Sequence, residues 1–110
     1  WPVFRSMFVA DNGGFAGAAN MGSLNGAKST TLEGGIRVPL IMRWPGRVRP
    51  GTTSHQVCAT FDLTRSILNL AQAKVPAKGL DGFDIVKHIT ARKPDFARPL
   101  LWRGKRGERT

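Results

Sequence analysis

The chain has 110 residues and a formal net charge of +10, from seventeen Lys and Arg against seven Asp and Glu. That length suits about one modest domain. Cys58 is the single cysteine, which excludes an intrachain disulfide and any multi-cysteine zinc cluster. No run of about 18 apolar residues is present, so no helical segment of the sequence is apolar enough to cross a membrane. Arg5 and Asp11 interrupt any apolar core of a secretion signal.

In chain order, residues 3–10 read as a strand interrupted by Arg5 and Ser6, ending in the apolar run Met7-Phe8-Val9-Ala10. Asp11-Asn12-Gly13-Gly14 follows as the turn that closes it. Residues 11–36 are rich in Gly, Ala, Asn and Ser and read as a long ordered loop, a kind of segment that is usually functional or disordered. Val38-Pro39-Leu40-Ile41-Met42-Arg43-Trp44 is the next strand, closed by Pro45-Gly46, with a second turn at Arg49-Pro50-Gly51. Phe61 to Ala73 carries the clearest helical periodicity, with Leu63, Ile67, Leu70 and Ala71 on one stripe widened by Leu68. Thr60 or Asp62 caps its start, and Pro76 prevents continuation. Leu80-Asp81-Gly82-Phe83-Asp84 makes a turn, Ile85 to Ala91 a short helix, and Leu100-Leu101-Trp102 a late strand before a basic tail.

Two places carry candidate chemistry. A strand that ends in Asp11 and Asn12 delivers adjacent oxygen donors to the carboxyl end of a sheet, where open α/β sheets bind ligands. Such donors suit a hard cation, calcium or magnesium; the same four residues also serve as an ordinary turn. The second place is the Asn25-Gly26-Ala27-Lys28-Ser29-Thr30-Thr31 loop, where small neighbours let a mobile ammonium meet a tetrahedral anion. About 4 Å from a charged oxygen, at an effective dielectric of about 20, that contact is worth about 4 kcal/mol before desolvation. It is not a P-loop, because Ala27 rather than Gly precedes Lys28. Cys58, between Val57 and Ala59, reads as a buried, inert thiol. The basic residues cluster at Arg43, Arg47 and Arg49 and again from Arg103 to Arg109, without interleaved aromatics, which argues against specific nucleic-acid recognition and leaves solvated surface or a bias toward sulfated or phosphorylated ligands.

The order of these motifs resembles the later catalytic segment of the type I sulfatases (arylsulfatases) of the alkaline-phosphatase-like superfamily. The shared run is a strand, Asp11-Asn12-Gly13-Gly14, then Lys28 with Glu33-Gly34-Gly35-Ile36-Arg37-Val38-Pro39, then Trp44-Pro45-Gly46-Arg47-Val48. Phe61-Asp62-Leu63, Ala73-Lys74-Val75-Pro76 and Leu80-Asp81-Gly82 continue it, so the resemblance covers roughly residues 7–102. It implies an α/β fold, a fragment of a sandwich with a mostly parallel central sheet. It divides the chain into a metal- and sulfate-site strand and loop at 7–46, a helical segment at 60–91, and the start of a C-terminal strand with its basic tail at 99–110. It implies that Asp11 and Asn12 are metal ligands for Ca2+, with Mg2+ as the alternative, and that Lys28 is the catalytic, substrate-binding residue that contacts the sulfate. Glu33 and Arg37, four residues apart, are expected to pair with each other or with loop backbone.

The resemblance implies hydrolysis of the sulfate ester of a small molecule or glycan, with a formylglycine nucleophile. Its Cys-x-Pro-x-Arg site is missing from Cys58-Ala59-Thr60-Phe61-Asp62, and His55 and His88 match none of the family's catalytic histidines. His55 and His88 are expected to be surface or packing residues. The expectation is therefore the C-terminal part of a sulfatase, inactive alone, with the nucleophile and remaining ligands upstream of Trp1. Self-association through cut sheet edges and a periplasmic, extracellular or lysosomal-type location accompany that reading. A phosphatase or phosphonate hydrolase of the same superfamily, or a non-catalytic basic polyanion-binding module, are the alternatives.

Overall fold

The computed structural model describes residues 6–74 and 78–103, and the chain divides into two compact units, residues 1–44 with 100–110, and residues 45–99. In the first unit, β1 (Ser6–Val9) pairs antiparallel with β2 (Leu40–Arg43), in the register Ser6 to Arg43, Met7 to Met42, Phe8 to Ile41 and Val9 to Leu40. This small α/β arrangement corrects one expectation: no parallel sheet occurs among the described residues. The strands are also shorter than the apolar runs suggested. Phe8 and Ile41 lie opposite one another and are both mostly exposed, so this sheet face has no cover within the described chain.

Between the strands runs the long loop, relieved only by α1 (Glu33–Ile36), a single helical turn. Glycine pairs do not favour helices. Here they are tolerated because Gly34 and Gly35 pack against other backbone rather than propagate a helix. The buried residues of this unit, among those described, are Gly13, Gly34 and Gly35. Its centre is main chain against main chain, not a cluster of apolar side chains.

The second unit holds α2 (Thr60–Leu70) and α3 (Ile85–Thr90). Helix α2 begins at the cap residue Ala59, not at Thr60 or Asp62. Asp62 still serves the cap: its amide donates to the Ala59 carbonyl and its Oδ2 accepts from the Ala59 amide at 2.7 Å. The helix also ends earlier than the periodicity suggested. Gln72 takes a left-handed conformation (φ 53°), and the Ala73 amide returns to the Leu68 carbonyl, a turn that stops a helix without proline. Pro76 lies outside the described residues. Arg92 (φ 51°) ends α3 the same way, with the Lys93 amide on the His88 carbonyl.

The apolar stripe of α2 does not supply its most buried positions. Those are Asp62 and Ser66, one turn apart, whereas Ile67 is half exposed. The Ser66 hydroxyl donates to the Asp62 carbonyl and accepts from the Val86 amide at 3.3 Å, docking α2 on α3 through a hydroxyl. Ile85 and Val86 supply the buried apolar contact. Leu100 to Arg103 adopt no regular structure, so the late strand read at Leu100-Leu101-Trp102 is not formed. The rest of the basic tail falls outside the described residues.

Candidate functional site

Asp11 and Asn12 follow β1 after one intervening residue, Ala10, and the chain then turns through Gly13 and Gly14. Three hydrogen bonds stitch this turn and the lysine loop together. The Gly13 amide donates to the Gly35 carbonyl at 2.9 Å, the Lys28 amide to the Gly14 carbonyl at 2.9 Å, and the Gly34 amide to the Asn25 carbonyl at 2.6 Å. The backbone of Lys28 is thus bonded two residues beyond Asn12. The approach demands glycine: a Cβ on Gly13 would lie 1.8 Å from the Gly34 carbonyl oxygen, and one on Gly34 would lie 2.1 Å from that of Gly26. The glycines that the sequence offered as a turn and a signature are there to let three chain segments touch.

The side chains of Asp11 and Lys28 are exposed and that of Asn12 is half-buried. No hydrogen bond or ion pair within the described residues engages any of the three. A carboxylate and an amide oxygen held adjacent at a strand end fit a hard divalent cation in type. They do not complete its shell, and no group of three or more His, Cys, Asp or Glu able to hold a metal occurs among the described residues. Glu33 and Arg37 form the expected pair, at 3.2 Å across one turn and in the open, where such pairs contribute little. The turn carrying Lys28 is closed by Thr30, whose hydroxyl donates to the Ala27 carbonyl at 2.8 Å and accepts from the Ala27 amide at 3.3 Å. Nothing in the residue pattern singled out Thr30; its role depends on a fold-back of only three residues.

In the second unit, Asp62 is wholly buried and bonded by the Ala59 amide, the Phe83 amide and the Arg98 guanidinium. Arg98 lies 4.8 Å from the centre of the Phe83 ring and 5.4 Å from that of Phe61. Every acceptor oxygen of this carboxylate is committed, which marks Asp62 as structural. His88 is buried, edge-on to Phe83 and Phe96, with Nε2 3.6 Å from Asp95. His55 is exposed and contributes its main-chain amide to Asp95 at 3.0 Å. Both histidines are packing or surface residues, as expected. Cys58 is half-buried, less enclosed than the sequence suggested; that partial burial raises its thiol pKa above the ordinary 9.0, the Asp62 carboxylate adds to this, and Arg98 opposes it. That is the environment of an unreactive cysteine.

Residues 27–103 match the family model described as N-sulphoglucosamine sulphohydrolase, C-terminal. The chain belongs to the sulfatase family. It is 40% identical over 83 residues to human arylsulfatase A, and 41% identical over 85 residues to mouse N-acetylgalactosamine-6-sulfatase. Each match covers 72% of this chain and 16% of the relative. Human arylsulfatase G is 35% identical over 109 residues, covering 86% of this chain and 21% of its own length. This sulfatase chain therefore spans a small part of the relatives it matches and is homologous to sulfuric ester hydrolases over that part.

Proposed function

We propose that this chain supplies one wall of a sulfatase active site, with Asp11 and Asn12 as ligands of a divalent cation, calcium in the first instance, and Lys28 as the contact to the substrate sulfate. The observation that carries the reading is the bond from the Lys28 amide to the Gly14 carbonyl, which joins the lysine loop to the turn bearing both oxygen donors. Among the described residues nothing engages the Asp11 carboxylate, the Asn12 amide or the Lys28 ammonium, which leaves the first two open to a cation and the third to an anionic oxygen. When bound, the cation would offset negative charge on the sulfate oxygens. Lys28 would hold the same group from the protein side and stabilise the charge that grows there during hydrolysis.

Residues 7–46 form the site-bearing part in this reading, 60–91 a helical segment, and 99–110 the start of a C-terminal strand and basic tail of the longer protein. The formylglycine nucleophile and the other ligands belong to a part of the protein outside this chain. The strands β1 and β2 belong to a larger α/β layer there, whose other elements cover the exposed Phe8 and Ile41. The substrate is the sulfate ester of a small molecule or glycan, and the 110-residue chain alone is inactive.

In the longer sulfatase, Lys28→Ala is expected to lower kcat/KM for an aryl sulfate by about a hundredfold and to weaken inhibition by inorganic sulfate. Unchanged values for both would overturn the assignment of Lys28. The isolated chain is expected to turn over no aryl sulfate at any calcium concentration.

A further inference from the structure

We infer that Thr30 is a positioning residue for Lys28: its hydroxyl locks the turn that presents the lysine and seats that turn against the anchor of the Asp11–Asn12 turn. The inference rests on the sulfate-contact reading of Lys28. The Lys28 side chain is exposed and makes no hydrogen bond or ion pair among the described residues, so its aim is set by its backbone. That backbone is unusual, because the next residue, Ser29, sits at φ 75°, a left-handed conformation that a residue with a Cβ disfavours.

Thr30 opposes that preference. Its hydroxyl both donates to the Ala27 carbonyl at 2.8 Å and accepts from the Ala27 amide at 3.3 Å, while its own amide donates to the same carbonyl at 3.1 Å. Lys28 and Ser29 are enclosed between these contacts. The hydroxyl also occupies space that only glycine leaves open. A Cβ on Gly26 would lie 2.6 Å from it, and one on Gly35 would lie 2.7 Å from it and 2.3 Å from the Thr30 carbonyl oxygen. Gly35 is the residue whose carbonyl anchors Gly13, next to Asn12. Thr30 and the metal-ligand turn therefore bear on the same residue from two sides.

The test uses the longer sulfatase with four variants: Thr30→Val, Thr30→Ser, Lys28→Ala and the double variant Lys28→Ala/Thr30→Val. Three quantities are read: kcat/KM for an aryl sulfate, the inhibition constant of inorganic sulfate, and the melting temperature. Thr30→Val, which keeps the shape and loses the hydroxyl, is expected to weaken sulfate inhibition and kcat/KM about tenfold or more. Thr30→Ser is expected to retain both. In the Lys28→Ala background, Thr30→Val is expected to change sulfate inhibition less than about twofold, because it acts through a side chain already removed. An equal loss in both backgrounds would show a purely structural role and overturn the inference. So would wild-type constants for Thr30→Val when Lys28→Ala is impaired. Lys28→Ala with wild-type constants would overturn the lysine reading itself, and this inference with it. If Thr30→Val does not fold, Thr30→Ala removes the hydroxyl without adding bulk to the crevice and is judged by the same outcomes.

Discussion

The Lys28 amide donates to the Gly14 carbonyl at 2.9 Å, so a lysine deep in a loop is tied to the turn that ends the first strand. A main-chain bond fixes position without depending on side-chain rotamers. It makes the relative placement of the lysine and the two oxygen donors a property of the backbone, and the backbone in turn depends on glycine at the contact points.

Gly13→Ala tests that dependence. The new methyl would meet the Gly34 carbonyl oxygen and carbon, both main-chain atoms that cannot rotate away. A clash of this kind is expected to cost about 3 kcal/mol or more, and urea unfolding of the 110-residue chain would measure it. Hydrogen exchange at the Gly13 and Lys28 amides should accelerate together. Unchanged stability with unchanged exchange would contradict the packing described.

Two neighbours of Lys28 sit at a cost, so substitution there should stabilise. Ser29 is left-handed at φ 75°, and Ser29→Gly is expected to gain about 0.5–1 kcal/mol, the relieved strain less the extra freedom of the unfolded chain. The Thr31 hydroxyl is buried with no hydrogen-bond partner among the described residues. Thr31→Val is therefore expected to be neutral or to stabilise by up to about 1 kcal/mol. Thermal unfolding of each single variant would show the sign, and a loss in either would count against the local geometry.

Asp62→Ala removes the acceptor for two main-chain amides and leaves the Arg98 guanidinium, itself largely buried, without its carboxylate. Breaking a buried pair from one side costs about 3–5 kcal/mol, so Asp62→Ala should be among the most damaging changes in this unit. Denaturant midpoints for Asp62→Ala and Asp62→Asn would check it, the asparagine retaining part of the loss because one carbonyl oxygen survives.

The acid limb of stability should depend on Asp95. The Ser54 hydroxyl bonded to its carboxylate is the main cause that lowers its pKa below the ordinary 3.8, helped by the His55 amide and by His88. A folded value below the unfolded one stabilises fully above about pH 3.8 and loses that contribution as pH falls through the folded value. Ser54→Ala should move the Asp95 titration back toward 3.8 in a carbon-detected NMR experiment. A titration that does not move would refute the hydrogen bond as its cause.

Cys58 sets an expectation at the alkaline side. Its raised pKa means that the neutral thiol is favoured in the fold, so its contribution is intact below about pH 9 and is lost as pH rises through the raised value. At pH 8 the native chain should react with a disulfide reagent more slowly than the same chain in denaturant. Equal rates would show an accessible thiolate.

The sequence alone determined the family, the two helices of the second unit, two of the three strands approximately, the Glu33–Arg37 pair and the packing or surface character of His55 and His88. These follow from short-range rules: apolar periodicity, residues one helical turn apart, and motifs in a fixed order. The pairing of β1 with β2 and the polar buried face of α2 were decided by tertiary structure, while the left-handed helix ends at Gln72 and Arg92 and the closure of the lysine turn by Thr30 are local folds that no residue pattern announced. Periodicity put Ile67 on the buried stripe, but a carboxylate and a hydroxyl with all their hydrogen bonds met pack inward at least as well. Glycine has no side chain to announce a partner, so only the folded chain shows which backbones it allows to touch, and that contact ties the Lys28 backbone to the turn that begins at Asp11.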